Sequence, residues 1–297
     1  MIVLFTSQRP LSRAENLRTV FDAYDGDKVF EQMGPRTRIR NIEKYDLQVT
    51  DELPSHTPGK CLFIGHGMGA CKTYGLDQPR AYFNSPELVS YAIASSHDMV
   101  PIVAKQIGIS ESQVIPLGMP RTDAYFEPHK TEGYSLYAPT FRGGSWLPDF
   151  AEIHRYMPED MKIVVKAHPI TGRIGADLWS GISEASSDVP TTPYLMGAEK
   201  LITDYSSIMF DAMVMRKPVV LFAKDRREYL RNRGMYFPYP QDYSKFYCET
   251  EKDFVDIVQA AEWDNHAEAM RNFYTGSCDG HSTERTIDLI KEILCES

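Results

Sequence analysis

A chain of 297 residues exceeds the usual size of a single domain, so two domains of about 130–160 residues each are expected. With 42% apolar and 25% charged residues it has the make-up of an ordinary globular protein, and its formal net charge of -9 argues against a general affinity for nucleic acid or anionic lipid, though not against a local basic pocket. The five cysteines (Cys61, Cys71, Cys248, Cys278, Cys295) are odd in number and scattered, which fits neither a disulfide framework nor a zinc site and suits a reducing cytoplasm.

The first apolar run, residues 2–5, is too short for a secretory signal, lacks a basic leader, and reads as a buried strand followed by a helix over 13–24. No run approaches the ~18–20 apolar residues that span a bilayer. Residues 26–60 are charged and weakly periodic, and the pattern assigns no elements there. Residues 61–64 form a short strand that ends in Gly65-His66-Gly67-Met68-Gly69. A helix and a small strand, the latter at 92–94, are expected within 86–96, then a helix over 101–107 stopped by Gly108, and a strand at 114–117 followed by Gly118-Met-Pro-Arg-Thr-Asp123. Composition loosens over 127–133, which reads as the linker between a domain at 1–128 and another at 129–297. Beyond it come a strand at 135–139, a helix at 150–156, a strand at 162–166, and closing helices at 254–262, 267–273 and 284–294.

The stretch from 201 to 222 organises the second half. Leu201-Ile-Thr203 is an apolar strand, Asp204-Tyr-Ser-Ser207 a polar turn, residues 208–215 carry near-helical apolar spacing, and Val219 to Phe222 form a second strand. Strand, turn, helix and strand in so short a span is a βαβ unit of a parallel sheet. Taken with the alternating elements elsewhere, it predicts an α/β chain of two Rossmann-like, doubly wound domains facing a central cleft.

Ligands of such folds bind beyond the carboxyl ends of the strands, and polar residues recur there. His66 follows the strand at 61–64, Arg142 the strand at 135–139, His168 the strand at 162–166, and Ser206 and Ser207 the strand at 201–203. His66, between glycines, is sterically reachable and titrates in a range suited to proton removal; the plainer reading is a histidine bonded to its own loop. Arg142, backed by Gly143 and Gly144, can fork onto phosphate oxygens or simply sit on a surface loop. His168 is held extended by Pro169, and Lys166 beside it makes an anion-holding role credible. Ser206 and Ser207 could seat phosphate at the start of a helix, or Ser206 could merely cap it. The arginines at 226, 227, 231 and 233 read as a solvated helix face. There is no Gly-x-x-x-x-Gly-Lys-Ser/Thr loop, no dinucleotide fingerprint after the first strand, no Asp-x-Asp pair and no His/Cys cluster with metal-ligand spacing, so a site without metal or cofactor is expected.

Several of these motifs together resemble one family. The stretch 201–211, Lys217-Pro218-Val219, and Tyr229 with Arg233-Gly234-Met-Tyr236 resemble the CDP-glycerol glycerophosphotransferases that build teichoic acids. So do His66-Gly67 with Lys72 and Gly75, Gly118-Met-Pro-Arg-Thr-Asp123, residues 137–142, His168-Pro169, and Asp279-Gly280 with Arg285, all in matching order across most of 61–290. The resemblance implies a GT-B arrangement, with an acceptor-side domain at 1–128 and a CDP-donor domain at 129–297. It implies transfer of glycerol phosphate from CDP-glycerol, or a related CDP-alditol, to an acceptor hydroxyl with release of CMP. In that scheme His66 is the base and His168 a second catalytic residue. Arg142, Ser206 and Ser207 hold the pyrophosphate, with support from Lys166, Asp204 and Arg121. The implied partners are the CDP-alditol and a glycan or lipid-linked polymer acceptor, with no nucleic acid. The expected location is the cytoplasm, with peripheral contact at the inner face of the plasma membrane. Gly65 replaces the family's usual Trp, and Met68-Gly-Ala70 its usual Thr-Pro-Leu, which leaves the acceptor open. The alternatives are a GT-B glycosyltransferase or sugar-nucleotide epimerase, and a non-catalytic nucleotide-binding relative.

Overall fold

The computed structural model describes residues 1–34, 39–54, 56–65, 67–68, 86–140, 147–167, 174–175, 179–186 and 188–296. The chain forms two compact units, one of Met1–Glu127 with Asn272–Ser297, the other of Pro128–Arg271. The division after Glu127 falls in the loose stretch at 127–133, but the expectation that residues 129–297 form one domain needs correction, because the last 26 residues pack into the first unit.

In the first unit β1 (Ile2–Ser7) leads to α1 (Glu15–Ala23), then β2 (Asp27–Gln32), β3 (Leu47–Thr50), β4 (Cys61–Phe63), β5 (Tyr91–Ile93), α2 (Val100–Ile107) and β6 (Val114–Ile115). The six strands are all parallel, in the order β2-β1-β3-β4-β5-β6. Chain order reverses between β1 and β3, so a ligand crevice is expected beyond their carboxyl ends. The unassigned stretch 26–60 therefore holds two strands, β2 and β3. Helix α2 has a proline in its first turn and ends on Gly108 in the left-handed conformation (φ 88°), the usual start and stop chemistry.

The second unit contains β7 (Ser135–Tyr137), α3 (Phe150–Tyr156), β8 (Ile163–Val165), β9 (Ile182–Glu184), α4 (Thr191–Gly197), β10 (Lys200–Thr203), α5 (Ile208–Val214), β11 (Val219–Phe222), α6 (Arg226–Asn232), β12 (Tyr247–Cys248) and α7 (Glu251–Ala260). Its six parallel strands run β12-β11-β10-β7-β8-β9, the dinucleotide-fold order with its switch point between β7 and β10. One sheet face is sealed by α3 and α7. Tyr137, Ile163, Val165, Ile202, Val220 and Phe222 meet Phe150, Ile153, Phe254 and Val258 in one buried cluster. Phe222 and Phe254 cross edge to face with ring centroids 5.1 Å apart. The first turn of α3 is held by Asp149, whose carboxylate accepts the Ala151 and Glu152 N–H groups, and that of α7 by Thr250, which accepts from Asp253.

Helix α8 (Asn265–Thr275) carries the chain across the division between the units, and α9 (Ser282–Cys295) ends it. The reason α9 belongs to the first unit is a clamp built from two motifs 159 and more residues apart. Asp123, in the 3-10 helix Pro120–Phe126, accepts the Ser282 and Thr283 N–H groups at 3.0 and 2.7 Å and so caps α9 from outside. Arg285 donates to the Leu117 carbonyl at 2.8 Å and the Ser277 carbonyl at 2.6 Å, and its guanidinium pairs with Asp279, whose carboxyl it holds below the usual range. Gly118 (φ 83°) passes so close that a Cβ would lie 2.3 Å from the Ser277 carbonyl oxygen. Asp123→Ala is therefore expected to lower unfolding free energy by about 1–3 kcal/mol, since it strands two donors, one buried and one partly exposed, at one helix start. Denaturant titration reads this; an unchanged midpoint would show that α9 docks without its cap. Among the described residues no helix is long and apolar enough to cross a membrane.

Candidate active site

The carboxyl ends of β10, β7 and β8 are adjacent in the second unit's sheet, at and beside its switch point. Four of the residues singled out from the sequence, Lys166, Asp204, Ser206 and Ser207, lie there. Arg142, His168 and, in the first unit, His66 lie outside the described residues. Their flanks are described: Thr140 before Arg142, Lys166 and Ala167 before His168, Gly65 before His66.

Asp204 is buried (1% exposed) and acts as a brace. Its Oδ1 accepts the Thr140 N–H at 2.8 Å and the Tyr205 N–H at 2.6 Å, tying the loop after β7 to the turn after β10 across the switch point. Thr203 adds a bond from its hydroxyl to the Ala138 carbonyl at 2.7 Å. The segment leading into Arg142 and the turn bearing the two serines are thus held as one piece. Beneath them Tyr205, fully buried, stacks on Tyr229 of α6 with centroids 3.6 Å apart and planes 5° from parallel, and donates its hydroxyl to Asp225 at 3.0 Å. Tyr239 leans on Tyr205 from a third side and donates to the Asp204 carbonyl at 3.3 Å. This aromatic base explains why Tyr229 accompanies the turn in the sequence. Asp204→Ala is expected to cost about 2–4 kcal/mol of stability, because it leaves the Thr140 and Tyr205 N–H groups without their acceptor. Donor affinity should fall with it; a variant with normal melting and normal binding would remove Asp204 from the account.

On that rigid turn the serines are left for other work. Ser207 is the N-cap residue of α5, but its side chain makes no capping bond; the first turn closes through the Ser206 and Ser207 carbonyls, which accept from Met209 and Phe210. The capping interpretation of Ser206 finds no hydrogen bond either, and both serines are partly exposed. Two hydroxyls at a parallel-sheet switch point suit anionic oxygens.

Lys166 directly follows β8, its N–H bonded to the Tyr137 carbonyl at 2.8 Å, and the residue is only 4% exposed. Burial pulls its ammonium pKa below the ordinary lysine value, against the opposing pull of Asp188. An anion bound nearby would stabilise the charged form. The arginine-rich helix α6 behaves as a solvated face: Arg227 and Arg231 are exposed, and Arg226 pairs with Glu249 at 2.9 Å. Lys217 is a strut, its buried ammonium donating to the Met196 carbonyl at 2.8 Å and to that of Ala198.

Arg121 lies in the first unit, with its guanidinium 3.8 Å from Glu15. Its backbone leads to Asn16, a positioning residue that sequence reasoning missed. Asn16 is buried (1% exposed) on the inner face of α1. It donates to the Gly65 carbonyl at 3.1 Å and accepts the Arg121 N–H at 3.1 Å. Gly65 adopts φ 62°, where a β-carbon is unfavourable, so the residue before His66 is fixed by backbone conformation and by this bond. The only sequence signal was a lone asparagine on an otherwise apolar helix face. Among the described residues no group of three or more His, Cys, Asp or Glu is placed to hold a metal ion.

Comparison with known proteins matches residues 45–292 to the family model described as CDP-glycerol:poly(glycerophosphate) glycerophosphotransferase. The chain is 25% identical over 273 residues to the teichoic acid glycerol-phosphate primase of Bacillus subtilis (strain 168), covering 83% of this chain and 71% of that protein. It is 29% identical over 234 residues to the teichoic acid ribitol-phosphate primase of Bacillus spizizenii, covering 69% of this chain but only 59% of the relative's length. Among solved structures, that of the wall teichoic acid polymerase TagF superposes with a TM-score of 0.77 at 16% identity, over 100% of this chain and 89% of that one, a likeness of fold. The paired parallel sheets expected from the sequence agree with it.

Proposed function

Because the chain belongs to the CDP-glycerol:poly(glycerophosphate) glycerophosphotransferase family, we propose that it transfers glycerol phosphate from CDP-glycerol to an acceptor hydroxyl in the synthesis of a teichoic-acid-like cell-surface polymer. The observation that carries the reading is the turn after β10, where two serine hydroxyls uncommitted to capping stand on a braced, aromatic-backed turn at the switch point. In this reading the pyrophosphate of the donor rests on Ser206 and Ser207, with Arg142 and Lys166 opposing its charge and His168 acting as a second catalytic residue. His66 takes the proton of the acceptor hydroxyl, whose oxygen forms a new bond to the glycerol-bearing phosphorus. The pyrophosphate P–O bond breaks, and CMP leaves with the electron pair. The acceptor is a glycan or lipid-linked polymer end; peripheral contact with the inner face of the plasma membrane would bring a lipid-linked one within reach.

The test is incubation with CDP-glycerol in excess EDTA, following CMP with and without a lipid-linked glycerol-phosphate acceptor. Acceptor-dependent CMP release is expected. No CMP from any acceptor, with donor bound, would favour a non-catalytic nucleotide-binding relative. A second alditol is supported by the similarity to ribitol-phosphate enzymes, among them a ribitol-phosphate primase at 29% identity, so CDP-ribitol belongs in the same assay.

A further inference from the structure

The first unit contains a small polar cavity that the reading above leaves without a role. It has a volume of about 50 Å³ and is lined by Thr6, Ser7, Gln48, Thr50, Glu52 and His56, among others. That is room for a few water-sized groups, not for a nucleotide. The cavity sits at the carboxyl ends of β1 and β3, the pair between which the chain order of this sheet reverses. Its position is thus the counterpart, in the first unit, of the serine turn in the second.

Part of its wall is polar and deeply buried, while Met33, Leu53 and Pro54 give the rest an apolar lining and Gln8 is exposed. Thr6, Ser7, Gln48 and Thr50 are each 1–2% exposed. Gln48 donates its side-chain N–H to the Thr6 hydroxyl oxygen at 2.9 Å. The other end of the same amide, Oε1, is buried and accepts no hydrogen bond. A buried amide oxygen without a donor is costly, and natural proteins keep one where something else supplies the donor. If the amide were turned over, Oε1 would meet the threonine hydroxyl and Nε2 would be the unmatched end, so one side of Gln48 is unmatched in either orientation. The groups around it select among ligands. The Glu52 carboxylate, 3.8 Å from Arg9, stands at the same cavity, and burial raises its pKa above the ordinary value. His56 accepts the Ile39 N–H at its Nε2 at 2.8 Å, a bond that requires the neutral ring. A carboxylate and an amide oxygen repel phosphate and welcome hydroxyl donors.

We infer that this cavity is a binding subsite for the hydroxyl-bearing end of a polyol, with Gln48 as the residue that reads it. The assignment of that polyol to the terminal alditol of the acceptor rests on the proposed transferase function; binding of a free polyol does not.

The test uses the full chain and free ribitol, without nucleotide, followed by saturation-transfer NMR in the millimolar range expected of so small a ligand. Wild type should bind ribitol, and Gln48→Met, close in volume but with no acceptor or donor, should bind it at least about fivefold more weakly. Inorganic phosphate should show no Gln48-dependent binding. If Gln48→Met does not fold, glutamine side-chain amide resonances of ¹⁵N-labelled wild type replace it: ribitol should shift one buried amide pair. Equal ribitol binding by the two proteins, absence of binding by wild type, or no shifted amide would each overturn the inference. In the transfer assay the same substitution should raise the acceptor KM and leave the donor Kd unchanged. Gln48-dependent ribitol binding by a chain that releases no CMP would keep the subsite and reject the transferase reading; the converse result would do the reverse.

Discussion

His66→Ala is expected to keep its affinity for CDP-glycerol and to lose turnover by a factor on the order of 10²–10⁴. The motive is the way its loop is presented. The chain reaches His66 from β4 through Gly65, whose left-handed backbone is held by the buried Asn16. A residue that only filled space would not need the preceding peptide fixed from another helix. The pH profile supplies the second readout. Only a neutral imidazole accepts a proton, so the wild-type rate should fall on the acid side, and that limb should vanish from the residual rate of the variant. Near-wild-type transfer by His66→Ala between about pH 6 and pH 9 would reject the assignment. The substitutes are weak. Asp123 is engaged by the Ser282 and Thr283 N–H groups, and His97 and Asp98 are exposed.

Replacing both Ser206 and Ser207 with alanine should weaken the donor complex or its transition state by about 1–3 kcal/mol per hydroxyl, or roughly 5- to 150-fold each. Melting should hardly move, because neither side chain caps α5 and the turn is held instead by Asp204 and by the Tyr205–Tyr229 stack. That separation distinguishes a donor seat from a structural turn. A large drop in melting temperature with normal kinetics would return the serines to a capping role. Asn16→Leu offers a useful contrast: it should lower turnover more than donor affinity, since it removes the bond to the Gly65 carbonyl ahead of His66 along with the one from the Arg121 N–H.

The parts of this fold that could be read from the sequence are those where physics leaves a local mark. Val219–Phe222 and Leu201–Thr203 are central parallel strands, buried on both faces, and appear as unbroken apolar runs. The strands that were missed lie mostly at sheet edges. β2 (Asp-Lys-Val-Phe-Glu-Gln), β9 and the two-residue β12 each flank a sheet, where half-exposed backbone tolerates charge and brevity. β3 was missed for another reason: it is buried throughout, yet Gln48 interrupts its apolar pattern because it lines a cavity. Helix α4 is short and carries Pro193 in its first turn. The helical capping and turn signals around 204–207 were visible, but not that the serine hydroxyls would be left out of them. The assignment of α9 to the first unit was hidden because the residues that hold it, Asp123 and Arg285, are meaningful only in contact. Asp204 is visible in the sequence as part of the polar turn, but its bonds to the Thr140 and Tyr205 N–H groups appear only in the fold.

In the proposed function the donor's phosphates sit at the switch point of the second unit, on the turn after β10. Hydrogen exchange of the full chain with and without CDP-glycerol tests it most directly. Slowed exchange is expected in peptides covering 138–142 and 204–210, with the slowing at 204–210 lost in the Ser206→Ala, Ser207→Ala double variant at the same donor concentration. Slowed exchange confined to peptides from 1–127, in a chain that turns CDP-glycerol over, would contradict it.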